Sequence, residues 1–151
     1  MNTTRIVMGI VAVSMLATGL APSISAQSGG KAVFKPQAEL TWTESGTRGV
    51  SFAVVDGDMK SGASHFYLKY GAGFVAPVHH HSPDHFVTTL TGNLVVIADG
   101  KEHALPPGSY FALTGKAQHG ARCQGTADCV MFVDARGAWD VVMAEHPAGN
   151  H

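Results

Sequence analysis

The chain has 151 residues, ten Lys and Arg against eleven Asp and Glu, a net charge of −1 and nine histidines. That even balance, with no basic stripe, argues against nucleic acid as a partner. Eighteen glycines and seven prolines point to many turns and short strands rather than long helices.

In chain order, Arg5 is followed by an apolar stretch from Ile6 to Leu20 and then by Ala21-Pro22-Ser23-Ile24-Ser25-Ala26. A basic start, an apolar middle and a small residue at the end are the marks of a signal peptide over residues 1–26, cut after Ala26. Gly9, Ser14 and Thr18 interrupt the apolar stretch, which is short for a span of about 20 apolar residues. No stable membrane anchor is therefore expected after cleavage. No twin-arginine pair is present, so the general secretory route and a periplasmic or extracellular location are expected. Residues 27–37 read as a loose leader, 38–144 as one β domain, and 145–151 as a frayed tail in which His146 and His151 are solvated.

Within the domain, apolar, β-branched and aromatic runs recur between turn signals. The predicted strands are Leu40–Thr43, Val50–Val55, His65–Tyr70, Val75–His79, Phe86–Leu90, Leu94–Ala98, Glu102–Leu105, Ser109–Leu113, Gly120–Cys123, Cys129–Asp134 and Trp139–Met143. The breaks carry turn chemistry, notably Asp56-Gly57-Asp58, Ser82-Pro83-Asp84, Thr91-Gly92-Asn93 and Pro106-Pro107-Gly108. Asp99-Gly100 between two apolar runs is a strong hairpin signal. No sustained period of 3.6 appears, and the rhythm predicts an all-β sandwich or barrel.

The chemistry concentrates in His79-His80-His81-Ser82-Pro83-Asp84-His85. Residues two apart on a strand share a face, so His79 and His81 point together while His80 points away. The Ser82-Pro83-Asp84 turn can bring His85 back toward them, and His119 must arrive from a more distant strand. Three or four convergent imidazoles suit one divalent transition metal, Zn, Cu, Mn, Fe or Ni, with positions open to water or substrate. Asp84 is an alternative to His85, since it could supply a carboxylate. The plainer alternative is an exposed histidine tract that binds metal weakly. His65 and His103 lie outside the pattern.

The spacing itself carries a resemblance. Gly73, five residues, His79-His80-His81, three residues, His85, six residues and Gly92 resemble the first motif of the cupin superfamily, Gly, five residues, His-x-His, three or four residues, Glu, six residues, Gly. His85 stands where the family usually has Glu. Gly108 and His119 hold their places in the second motif, while Thr114, Lys116 and Cys123 replace its Pro, Gly and Asn. Asp56-Gly57-Asp58, Ala72–Pro77, Pro106-Pro107-Gly108-Ser109 and Gly137-Ala138-Trp139-Asp140 further resemble a group of small single-domain cupins that mostly lack an assigned reaction. The resemblance implies a cupin-type double-stranded β-helix, or jelly-roll barrel, holding a metal at His79, His81, His85 and His119. It also allows a homodimer. Four neutral histidines leave a divalent site near +2, where three with a carboxylate leave about +1, which favours anionic ligands.

Cys123 and Cys129 flank a turn-rich segment, and in an exported chain they are expected to form a disulfide across a short hairpin. The alternative is a thiol near the metal, because Cys123 shares the face of His119 on an unbroken strand. Three functions stay open. One is a metal-dependent oxygenase, isomerase, lyase or other Lewis-acid enzyme acting on a small molecule, with anionic ones favoured. The second is a non-catalytic protein that binds a metal or small ligand in the periplasm. The third is a structural cupin that has lost activity.

Overall fold

The computed structural model describes residues 31–144. The expected signal peptide, the start of the leader and the tail with His146 and His151 lie outside the described residues. Eleven strands follow in chain order: β1 (Thr43–Glu44), β2 (Val50–Gly57), β3 (Ser64–Tyr70), β4 (Val75–His80), β5 (His85–Thr91), β6 (Asn93–Ala98), β7 (Lys101–Leu105), β8 (Tyr110–Leu113), β9 (His119–Gln124), β10 (Cys129–Ala135) and β11 (Val142–Met143). They make an antiparallel six-stranded sheet, β1-β2-β3-β10-β5-β8, and an antiparallel five-stranded sheet, β11-β4-β9-β6-β7. From β3 onward the chain passes from one sheet to the other at almost every connection, so the two sheets enclose one interior as a jelly-roll barrel.

Period-2 alternation fills that interior. Phe66 on β3, Val87 on β5, Leu94 and Val96 on β6, and Met131 and Val133 on β10 are all buried. Most of their neighbours along these strands are half-buried, while Val95 is buried with them. Burying each such side chain contributes roughly 1.5–3 kcal/mol.

Two predicted strands moved. The first strand begins only at Thr43, because Gln37–Glu39 forms a 3-10 turn closed by the Leu40 N–H donating to the Gln37 carbonyl. Trp139–Met143 is a strand only at Val142–Met143, since the Trp139 N–H is taken by the Met59 carbonyl, outside any ladder, at 2.7 Å.

The Asp99-Gly100 hairpin forms as expected between β6 and β7. Both residues have positive φ, 51° and 71°, in a two-residue turn that matches strand twist. The irregularity that matters most lies in β4. Ala76 pairs with Ala121 and His79 with His119, so three steps on β4 match two on β9. This one-residue bulge falls around Pro77, which has no N–H to lose from the ladder.

Candidate metal centre

The bulge decides which way the histidines face. Simple alternation from buried Ala76 would turn Val78 and His80 inward. The extra residue instead buries His79 and His81, leaves Val78 exposed and keeps His80 half-buried beside Val142. His119 opens β9 opposite His79, and His85 opens β5. All four histidines are buried, each 6% exposed or less.

His79, His81 and His119 each offer a ring nitrogen, and these three nitrogens lie within 4.8 Å of one another. These are the three side chains that would hold an ion here. His85 stands beside this trio rather than within it. Its ring centre is 4.8 Å from that of His81, nearly perpendicular, and 5.9 Å from that of His119. Asp84 is engaged elsewhere. Its side chain is exposed and accepts the Gly115 N–H at 2.8 Å, holding the turn ahead of β9.

The outer nitrogens of these rings are committed to backbone oxygen. Nδ1 of His79 donates to the Pro77 carbonyl at 2.7 Å, Nδ1 of His85 to Pro83 at 3.2 Å, and Nδ1 of His119 to Ala117 at 3.0 Å. Nδ1 of His81 donates to the Asp140 carbonyl. A carbonyl only accepts, so in each neutral ring Nδ1 carries the hydrogen and Nε2 keeps a lone pair. Burial keeps the rings neutral, pushing His81 down to about 3 and His119 to about 4, with the mutual repulsion of the histidines adding to it. His79 and His85 are lowered for the same first reason. Four neutral imidazoles, each with one nitrogen tied off and the other free, form a donor set that fits a transition metal.

The segment after β10 covers this group. The Trp139 ring stacks on His81 at 3.8 Å between centres and meets His85 edge-on at 5.1 Å. The Asp140 carboxylate accepts the Ser82 N–H at 2.6 Å and its hydroxyl at 2.5 Å, and these bonds hold the carboxyl below the usual range. Sequence reasoning assigned no such role to Trp139, Asp140 or Ser82. A legible sign did exist for the outer bonds, because Pro-x-His occurs twice, at Pro77 and Pro83, and in both cases the proline carbonyl is the acceptor.

The remaining expectations divide cleanly. His65 lies on the outer face, stacked on Phe132 with Nε2 3.5 Å from Asp134, and His103 is exposed. Cys123 and Cys129 form a disulfide. They do not close a hairpin, however, because β9 and β10 lie in different sheets and the bridge joins the two. Cys123 does share the inward face of His119, but it is four residues away, about 13 Å along the strand. The sulfur is thus neither free nor near the histidines.

A cavity of about 440 Å³ opens beside His79 and His81, between β2–β3 and β4–β11. A narrower space of about 30 Å³ runs beneath His81, His85 and His119 into the barrel.

A jelly-roll barrel with a buried histidine cluster at one end, open to a cavity, is the class that fold and site define. Residues 66–134 match the family described as Cupin domain. That match, together with the jelly-roll fold, supports the cupin superfamily for this domain. Among solved structures it is similar to KdgF from Halomonas sp., at 21% identity and a TM-score of 0.59, covering 68% of this chain and 94% of that one. It is also similar to the polyketide cyclase RemF from Streptomyces resistomycificus, at 16% identity and a TM-score of 0.63, covering 80% and 89%. A sugar phosphate isomerase of the cupin superfamily from Silicibacter pomeroyi follows at 20% identity and 0.57, covering 68% and 74%. At these identities the likeness concerns the fold. No curated protein matches the chain in sequence.

Proposed function

We propose that this cupin binds one divalent transition metal through His79, His81 and His119, with His85 as the fourth ligand, and presents it to a small molecule held in the adjoining cavity. The observation that carries this reading is the set of four buried imidazoles whose Nδ1–H groups are all tied to carbonyls. Bound there, the metal would supply Lewis acidity or a site for oxygen chemistry. The chain's own residues orient the donors, exclude water with Trp139, and keep the rings neutral.

An enzyme is the reading favoured by the cavity beside His79 and His81, because a site closed on all sides would serve only to hold an ion. Its likeness in fold to the polyketide cyclase RemF and to a sugar phosphate isomerase is compatible with it. The alternative is a non-catalytic metal or small-ligand carrier. A periplasmic or extracellular setting is part of the proposal and is supported by the leader sequence and the disulfide.

Elemental analysis of protein taken from its export compartment tests the metal reading. One equivalent of a transition metal is expected, falling to a trace in His119→Ala. His85→Ala should keep a weaker site, and His85→Glu should restore tight binding by supplying a carboxylate. Folded wild-type protein that binds no Zn, Cu, Mn, Fe or Ni would sink the proposal.

A further inference from the structure

The lining of the larger cavity is selective in its chemistry. Phe52, Phe66, Phe74 and Trp139 give it aromatic walls, and among the described residues no Lys or Arg lines it. Its single carboxylate, Asp140, is already engaged by Ser82. A phosphate or a polyol entering here would shed its water with few groups to replace it, a cost of several kcal/mol for each charge or unpaired hydroxyl. The volume, about 440 Å³, lies in the range that holds a molecule of one to three rings.

The hydroxyls on the lining are those of Ser45 and Thr47, both exposed, and of Tyr70, which is buried. The Tyr70 side chain lines the cavity and is 9% exposed, and its hydroxyl makes no hydrogen bond to the protein among the described residues. Burial alone pushes the phenol up to about 12, so it stays a neutral O–H donor. Among the described residues the fully buried side-chain oxygens without a partner are Ser64 Oγ and Thr89 Oγ1, so the Tyr70 hydroxyl keeps contact with open space. The Tyr70 ring packs on Phe74, with 4.8 Å between centres, and Phe74 precedes His79 by five residues. Tyr70, paired with Cys129, and the histidines, whose His85 pairs with Ala135, thus sit toward opposite ends of the barrel.

We infer that the cavity takes a ring-containing, mainly apolar molecule with an oxygen at the histidine end and a second hydrogen-bond acceptor for the Tyr70 hydroxyl at the other. Sugar phosphates and polyanions are poor ligands. The inference rests on the proposed metal end of the cavity, at His79 and His81, and narrows the anionic preference expected from the histidine set to a single head group.

Calorimetry with metal-loaded wild-type protein tests this, using 2,6-dihydroxynaphthalene, 2-naphthol and ribose 5-phosphate as probes. The naphthalenediol should bind at least about a hundredfold more tightly than ribose 5-phosphate. Tyr70→Phe should weaken the diol by about fivefold to tenfold and leave 2-naphthol, whose one oxygen goes to the histidine end, unchanged. Ribose 5-phosphate binding as well as the diol would overturn the inference. So would equal effects of Tyr70→Phe on both naphthalenes. The wild-type comparison stands even if the variant fails to fold. Metal content measured on the same samples separates the two ideas. Protein that takes no metal but prefers the diol overturns the metal reading alone, while metal-loaded protein with no preference for the diol overturns the cavity assignment alone.

Discussion

Asp140→Ala removes the contact that fastens the segment after β10 to the histidine turn. The carboxylate accepts two hydrogen bonds from Ser82, at 2.6 and 2.5 Å, while the backbone carbonyl of the same residue accepts from His81 Nδ1. Without the carboxylate the carbonyl keeps its chemistry but loses its anchor, and Trp139 loses its fixed stack on His81. Charge-assisted bonds contribute about 1.5–3 kcal/mol each when buried, and these two are open to solvent, so about 1–2 kcal/mol of stability should go in total. Outer partners of metal-binding histidines are commonly worth 10–100-fold in metal affinity, and the lower part of that range is expected because the direct acceptor survives. Zinc affinity by chelator competition measures this, with melting of the metal-free protein run beside it. Asp140→Asn, which keeps one acceptor oxygen, should fall between wild type and Ala, and Ser82→Ala should resemble Asn. A dissociation constant for Asp140→Ala within twofold of wild type would refute the view that this segment positions His81.

Other perturbations probe other parts of the structure. Replacing both Cys123 and Cys129 by Ser should cost about 2 kcal/mol, as loop entropy predicts for so short a bridge, and leave zinc affinity unchanged because the bridge sits away from the histidines. Denaturant melts and chelator competition read the two effects, and a large drop in affinity would contradict the separation. Gly92→Ala should be destabilising by more than about 1 kcal/mol, since φ is +76° and the new Cβ would lie 2.6 Å from the Asp128 carbonyl oxygen and 2.8 Å from the Cys129 Cα. A thermal melt matching wild type would show that this tight corner yields. The metal-free protein should lose stability in acid. His81 and His119 have folded pKa values near 3 and 4, below an unfolded value near 6.5, so below pH 6.5 the unfolded chain binds more protons. Stability is full above pH 6.5 and should fall by a few kcal/mol toward pH 4, measured by denaturant melts across that range. A flat profile would mean that the rings are not buried neutral.

The fold was legible because its signals are local. Turn residues and alternating apolar runs placed the strands to within a few residues, and Asp99-Gly100 formed its hairpin as its backbone preferences require. The two misplaced strands failed for a shared reason, since Leu40 and Trp139 have strand-like side chains but spend their N–H groups on the Gln37 and Met59 carbonyls. The disulfide was readable as a pairing, but whether Cys123 and Cys129 joined neighbouring strands or opposite sheets depended on long-range topology. Nor could sequence spacing show that Trp139 and Asp140, more than fifty residues away, would close over His81.

The histidine cluster shows where a spacing argument works and where it stops. Period 2 correctly puts His79 and His81 on one face, but it cannot say which face, and counted from buried Ala76 it would turn both outward. One extra residue on β4 reverses the parity. Pro77 suits that position, having no N–H to lose from the ladder, and its carbonyl accepts the His79 Nδ1–H. The same residue type stands two before His85, where the Pro83 carbonyl plays the matching part. A proline two residues ahead of a histidine here links local backbone irregularity to ring orientation and tautomer. That link turns a run of histidines, which could have been a solvated tract, into buried, neutral rings on the inner face of the barrel.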